Sequence, residues 1–270
     1  MKTRAACLLV RNQPVYRRDA FAAGLAAVGL SVSGKPSVKI SQDDVLVIWN
    51  RYGINHHIAR RYEDAGAAVF VTVNGYVNFK GARKSFALAL NHHNGAGSWP
   101  RDGESRIHML DIEIRPWLCD GIDADVLLLP QRGVGPPGIA MPKSWVMEVQ
   151  KRIAGLGGRR RTVRIRPHPG TQREALPLAS DIGSGVVCVT WASGAAIKAL
   201  AYGAPVVHEF PKWVAAAGGS FGIGTLNNPH LGDRSVAMEA VARAQWTVDE
   251  VASGVPFARL LDLHAKRMER

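Results

Sequence analysis

Arg166-Pro167-His168-Pro169-Gly170 ends a short run of β-branched and basic residues with a histidine held between two prolines. Proline fixes its own φ and biases the preceding residue toward extended backbone, so the histidine leaves the strand in a rigid turn. A ring presented in this way can touch a phosphate. Further along, Ser193-Gly194 opens a run of helical periodicity. A helix N-terminus offers free N–H groups and about half a positive charge, both of which suit a phosphate. Upstream, Gln131, Arg132 and Gly133 stand directly after an apolar run, with Gly135 and Gly138 close behind. Glycine lets backbone N–H groups approach an oxyanion. Glu209 follows the last apolar run of this series. Each loop has a plainer use: Ser193 as a helix cap, the glycines as a turn, His168 and Arg132 as exposed surface. Four strand-end loops of like chemistry make phosphate binding their joint expectation.

The elements that must position these loops are legible as alternating patterns. Short apolar runs predict strands at 5–11, 44–50, 67–74, 125–131, 162–167, 185–191 and 204–210. Residues recurring at three- and four-residue steps predict helices at 17–29, 56–66, 142–155 and 193–203, a weaker one around 80–90, a poor one at 173–182, and two more near 234–246 and 256–268. The alternation in Ser105–Ile114 predicts an edge strand. Apolar strands alternating with helices imply parallel sheets covered on both faces. The pattern restarts after 116–123, which divides the chain into an α/β domain at 1–122 and a second at 123–270, with the last helix returning to the first. Ligands of such folds bind outside the carboxyl ends of the strands.

The chain carries a net charge of +12 over 270 residues, 47% of them hydrophobic. Sixteen basic residues oppose ten acidic ones in 1–122, and eighteen oppose twelve in 123–270, so each part carries +6. The excess is spread over folded sequence and favours an anionic partner, nucleic acid first. The apolar stretch near the start is too short for a signal peptide, and no run reaches the roughly 18 apolar residues of a membrane span. A cytoplasmic location is expected. Cys7, Cys119 and Cys188 lack the spacing of a zinc site or a disulfide framework.

Arg166-Pro167-His168-Pro169, followed by "TWASGAAIKALAYGAPVV" (190–207), resembles the C-terminal domain of GT-B glycosyltransferases, in particular the capsule-polysaccharide (β-Kdo) transferase group. The "LLLPQ" run with Gln131 fits the same group, and the resemblance covers roughly residues 125–215. It implies an α/β fold of two Rossmann-like parallel-sheet domains facing a cleft, with a nucleotide sugar as co-substrate, a UDP-sugar foremost, and no further cofactor or metal. It implies that His168, Ser193 and Gly194 hold the donor phosphate. Gln131, Arg132 and Gly133 would then lie near sugar or phosphate, and Glu209 near the ribose or sugar hydroxyls. No acid stands at the E-x7-E spacing from Glu209 that many retaining members carry, which leaves the stereochemistry open.

A glycosyl acceptor needs a base for its hydroxyl. His92 and His93 in "LNHHNGAGSWP", and Asp111 after them, are the candidates. A metal site of His92, His93 and His108 is a weaker reading, because adjacent histidines without a nearby carboxylate make a poor site. Arg51 follows a strand, and Tyr76, Lys80, Arg83 and Lys84 surround Phe79. Cations interleaved with rings suit a nucleic-acid strand. The basic run 157–164 lies at the start of a strand and reads as a solvated face. The "NGYVNFKG…LNHHNGAGSWP" region resembles phage-encoded glycosyltransferase-like proteins. That resemblance implies a hydroxymethylpyrimidine base in DNA as acceptor, flipped out of the stack to react. Two other readings compete: a transferase acting on a capsule or other glycan, and a non-catalytic nucleic-acid-binding protein on a transferase-like fold.

Overall fold

The computed structural model describes residues 4–11, 13–93, 95–168, 177–183 and 185–269. Asn94, Pro169, Gly170 and residues 173–176 of the poor helix therefore lie outside the described residues. In chain order the elements are β1 (Ala5–Leu9), α1 (Val15–Ala27), β2 (Ser31–Ser33), β3 (Val45–Trp49), α2 (Ile54–Asp64), β4 (Ala68–Asn74), β5 (Ser85–Leu90), β6 (Asp125–Leu129), α3 (Trp145–Ala154), β7 (Val163–Ile165), α4 (Leu178–Ile182), β8 (Val186–Thr190), α5 (Gly194–Ala201), β9 (Val206–His208), β10 (Ser220–Phe221), α6 (Ser235–Arg243), β11 (Gln245–Thr247), α7 (Val248–Ser253) and α8 (Val255–Met268). Among the described residues, no helix is long and apolar enough to cross a membrane.

The chain forms two compact units, one of Met1–Leu110 with Ala242–Arg270 and one of Asp111–Val241. In the first, six strands lie in the order β11-β5-β4-β3-β1-β2. β1 to β4 are parallel, whereas β5 and β11 run antiparallel to their neighbours. α1, α7 and α8 cover one face, where Phe21, Leu25, Phe257 and Leu260 pack on Phe70, Phe86 and Leu88. α2 covers the other, its Ala59 and Tyr62 against Leu46, Ile48, Val69 and Val71. α1 and α7 approach closely at Gly24, where a Cβ would stand 1.8 Å from the Val251 carbonyl oxygen.

Three expectations are corrected in this unit. The segment expected as a weak helix around 80–90 holds β5. Phe86, Leu88 and Leu90 face the larger core, whereas Ser85, Ala87 and Ala89 alternate with them, and all six are buried. Pairing with β4 on one side and β11 on the other decides the matter, overriding a composition that also suits a helix. The edge strand expected at 105–114 is a 3₁₀ turn at Ile107–Met109, with one isolated bridge from Phe79 to Leu110. β11 falls at the end of the helix expected near 234–246. Its Gln245 Nε2 donates to Val77 O at 2.6 Å, and its Oε1 accepts from Tyr76 N at 2.8 Å, so this buried amide replaces strand pairing for the loop after β4.

The second unit is a parallel sheet in the order β10-β9-β8-β6-β7. Val126, Leu128, Val187, Val189 and Val207 pack against Trp145, Val149 and Ile153 of α3. α5, with Ala196, Ile197, Ala199 and Leu200 buried, packs on β8 and β9. The segment after Asp111 belongs to this unit, so the boundary expected at 122 falls inside it. Arg115 N donates to Ala201 O and Leu118 N to Gly203 O, each at 2.8 Å. Gly203 has φ +93°, and a Cβ there would stand 2.0 Å from Pro116 O. Trp117 lies under the Arg234 guanidinium, 4.0 Å from ring centroid to Cζ.

Candidate functional site

Because the strands of the second sheet are parallel, the loops after β6, β7, β8 and β9 leave it at one edge. β8 is central there and organises its neighbours through Thr190. The Thr190 hydroxyl donates to Leu129 O at 2.9 Å and accepts from Ser193 N at 2.9 Å. Gln131 Nε2 donates to Ala192 O at 2.7 Å, tying the loop after β6 to the turn before α5. The Trp191 indole N–H donates to Ile139 O at 2.9 Å and pins the far end of the glycine-rich loop. Gly133 (φ +66°) and Gly135 (φ +139°) give that loop the left-handed backbone it needs.

Ser193 caps α5. Its backbone is extended, and its Oγ accepts from Ala195 N at 3.1 Å. The hydroxyl hydrogen remains available to a ligand. The first turn of α5 holds no acidic residue. A Cβ built on Gly194 meets nothing within 4 Å, so space lies open beside the helix start. An oxyanion there would meet the helix N–H groups and the positive end of the dipole.

His168 and Arg132 are exposed and interact electrostatically. Partial burial, and then the Arg132 charge, hold the His168 ring below the ordinary histidine pKa, so it is neutral in neutral solution. β7 and β8 flank β6, which places the two loops about 10 Å apart by ordinary strand spacing. Arg166, just before His168, is turned aside into an ion pair with Asp181 of α4. Glu209 is largely enclosed. One carboxylate oxygen accepts from the Trp145 indole N–H at 3.0 Å and the other faces Arg152 at 2.6 Å. These contacts join the end of β9 to α3, and sequence reading did not anticipate them. Thr190, which ties the end of β6 to the turn before α5, was also passed over; its only sequence signal is a hydroxyl at the end of an apolar strand.

The first unit distributes its candidates differently. Arg51 is 2% exposed. Its guanidinium grips Glu63 of α2 through two bonds of 2.5 and 2.6 Å and also donates to Asn91 O at 2.5 Å. Arg51 thus fixes α2 to the sheet instead of facing an acceptor. Burial raises the Tyr76 phenol pKa, and its ring lines a small pocket with His93 and Trp99. Lys80 and Arg83 are exposed, and Lys84 is half-buried, all between β4 and β5.

His92 and His93 come from the loop after β5. Leu90 pairs with Phe70, near the beginning of β4, so the loop after β5 leaves the sheet where the parallel strands start. It folds back over the sheet, and a Cβ on Gly97 would stand 2.7 Å from the Ala89 Cβ. His93 is 3% exposed. The antiparallel direction of β5 makes this loop leave the sheet at the edge opposite to those after β3 and β4, but it turns back to them: His93 lines the pocket with Tyr76, and Asn91 O accepts from Arg51. Asp111 is exposed and follows the 3₁₀ turn, with no strand beneath it. Among the described residues, no three His, Cys, Asp or Glu side chains gather as metal ligands.

No family model matches the chain. No curated protein sequence matches it either. Solved structures do. The beta Kdo 2,4 transferase of KpsC from Thermosulfurimonas dismutans aligns over 92% of this chain and 93% of its own, with a TM-score of 0.53 and 10% identity. The beta Kdo 2,7 transferase of the same KpsC aligns over 99% and 100%, with a TM-score of 0.50 and 11% identity. At such identity the likeness shows the fold, which is that of a two-unit, Rossmann-like GT-B glycosyltransferase.

Proposed function

We propose that the protein transfers a sugar from a nucleotide-sugar donor to an acceptor hydroxyl. The donor phosphate rests at the carboxyl edge of the second sheet, against the start of α5. The observation that carries this reading is the arrangement of Thr190, Ser193 and Gln131, which locks two strand-end loops around an open, acid-free helix N-terminus. The glycosyltransferase fold gives it independent support. In this reading the α5 N–H groups, the Ser193 hydroxyl, Arg132 and His168 take up the charge that develops on the departing phosphate. Fixed dipoles suit that task because they need not reorganise as the bond breaks. Gln131 orients the loop, and Glu209 holds the end of β9 against α3 next to the site.

The acceptor reading drawn from sequence is a hydroxymethylated base in DNA, with an acidic glycan as its rival; the net charge of +12 supports either. One experiment tests donor and acceptor together. The protein is incubated with a panel of nucleotide sugars, with and without hydroxymethylated DNA or acidic oligosaccharides, and products are read by mass spectrometry. Turnover of at least one nucleotide sugar is expected, and failure with the whole panel sinks the reading.

A further inference from the structure

Tyr16, Arg17, Trp49, Arg83 and Phe86 form one cluster at the carboxyl edge of the first sheet. Arg17 lies in the first turn of α1, Trp49 ends β3, and Arg83 stands just before β5. The Arg17 Cζ is 4.2 Å from the Trp49 ring centroid and 5.9 Å from that of Phe86. The Arg83 Cζ is 4.1 Å from the Tyr16 centroid. Trp49 and Phe86 meet edge to face at 6.0 Å.

Other arginines of this unit also lie on rings. Arg106 and Arg259 both face Trp246. Each of those holds an acid as well: Arg106 pairs with Glu250 and Arg259 with Asp102. Arg17 and Arg83 differ. Among the described residues neither has a carboxylate partner, and the Arg17 Nε is shut off from solvent without an acceptor. The first turn of α1 contains no acid. Exposed Arg11 adds its positive charge to that of Arg17. Two cations stacked on rings without counter-charges, at the edge where such sheets bind ligands, can take an anion from outside.

We propose that Arg17 and Arg83 form an oxyanion-binding pair that takes a carboxylate or phosphate group borne by the acceptor. This rests on the transfer reading above and specifies its acceptor side. The aromatic faces explain why a small oxyanion fits better than a stacked nucleobase. Phe86 is 0% exposed and Trp49 is packed against the core, with Arg17 stacked over its ring. Arg83 covers Tyr16 in the same way. Base stacking needs a free ring face, whereas a stacked guanidinium still presents its edge N–H groups to an oxyanion.

The test is a titration of the wild-type protein with galacturonate, glucose 6-phosphate and neutral galactose, following the side-chain Nε–Hε signals of Arg17 and Arg83 by NMR. Galacturonate or glucose 6-phosphate should shift both signals, and galactose neither. The tighter of the two anions identifies the group as carboxylate or phosphate. Arg17→Gln and Arg83→Gln should each weaken that anion about tenfold, the scale of one charge-assisted hydrogen bond. The wild-type spectra keep the test decisive if a variant fails to fold. Signals that ignore both anions, equal response to galactose, or binding of a single-stranded oligonucleotide with no small anion bound would each overturn the proposal. A protein that binds the anion at Arg17 and Arg83 yet turns over no nucleotide sugar leaves the site standing and removes the transfer reading.

Discussion

The two sheets follow different rules. In the second unit the strands are parallel, so every loop that follows a strand arrives at the same edge. In the first, β5 runs against the other strands, and the loop after β5 departs at the opposite edge. Sequence order is therefore a dependable guide to shared location in one unit and misleading in the other. His168, Ser193, Gln131 and Glu209 were grouped by the simple rule that strand ends converge, and the parallel sheet brings them to one edge. His92 and His93 were grouped by the same rule, but β5 delivers their loop to the opposite edge of its own sheet, from which it folds back to Tyr76.

Mutations can break or sharpen this contrast, and the largest effects should fall on the scaffold of the mixed sheet. Arg51→Met should destabilise the first unit by about 3 kcal/mol, because it leaves Glu63 without its buried partner. Urea unfolding measures this; a loss below about 1 kcal/mol, the scale of an exposed pair, would return Arg51 to the surface. Gly24→Ala, normally favourable in a helix by about 1 kcal/mol, should instead cost about 2 kcal/mol as α1 is pushed from α7. A raised melting temperature would refute that close approach.

Effects on binding come next. His168→Ala should weaken the donor about tenfold without lowering the melting temperature, as the loss of one hydrogen bond to a charged phosphate predicts. The same histidine gives a pH test with a definite sign. Its folded pKa is lowered, so stability drawn from the neutral ring is present above the unfolded pKa of about 6.5 and falls as pH drops below it. A phosphate favours the protonated ring. Donor binding should therefore take up a proton and tighten relative to His168→Gln as pH falls from about 8 to 6. Parallel pH profiles for the two proteins would separate His168 from the phosphate. The smallest effect is expected in the loop after β5, where His92→Gln should change turnover by less than about twofold, below the contribution of a general base. A collapse of turnover would place that loop in the site and end the contrast between the sheets.

Most of the fold was legible because the central strands are uninterrupted apolar runs, such as Val45–Trp49 and Val186–Thr190, which have no stable place except a covered sheet. Ser85–Leu90 was misread because its alanines and leucines satisfy helical and strand spacing alike, and only its partners choose. Gln245–Thr247 is three residues long and carries no period at all. The boundary near 122 was misplaced because Pro116 and Trp117 look like a linker, while their attachment to Gly203 and Arg234 spans a long stretch of sequence. Within the site, His168 and Ser193 stood out through proline and capping chemistry. Arg17 did not, since an arginine in the first turn of a helix gains meaning only when the ring beneath it and the missing acid beside it are seen.

β11, α7 and α8 reach the first unit only after the whole second unit has been made. On the ribosome, the first strands and helices of the protein must wait for the final residues with one flank of β5 unpaired and Phe21, Phe70 and Phe86 without Phe257. Such a chain finishes its beginning last. A stop codon just after Val241 would spare the second unit's sequence entirely and strand the first as an open, adhesive sheet.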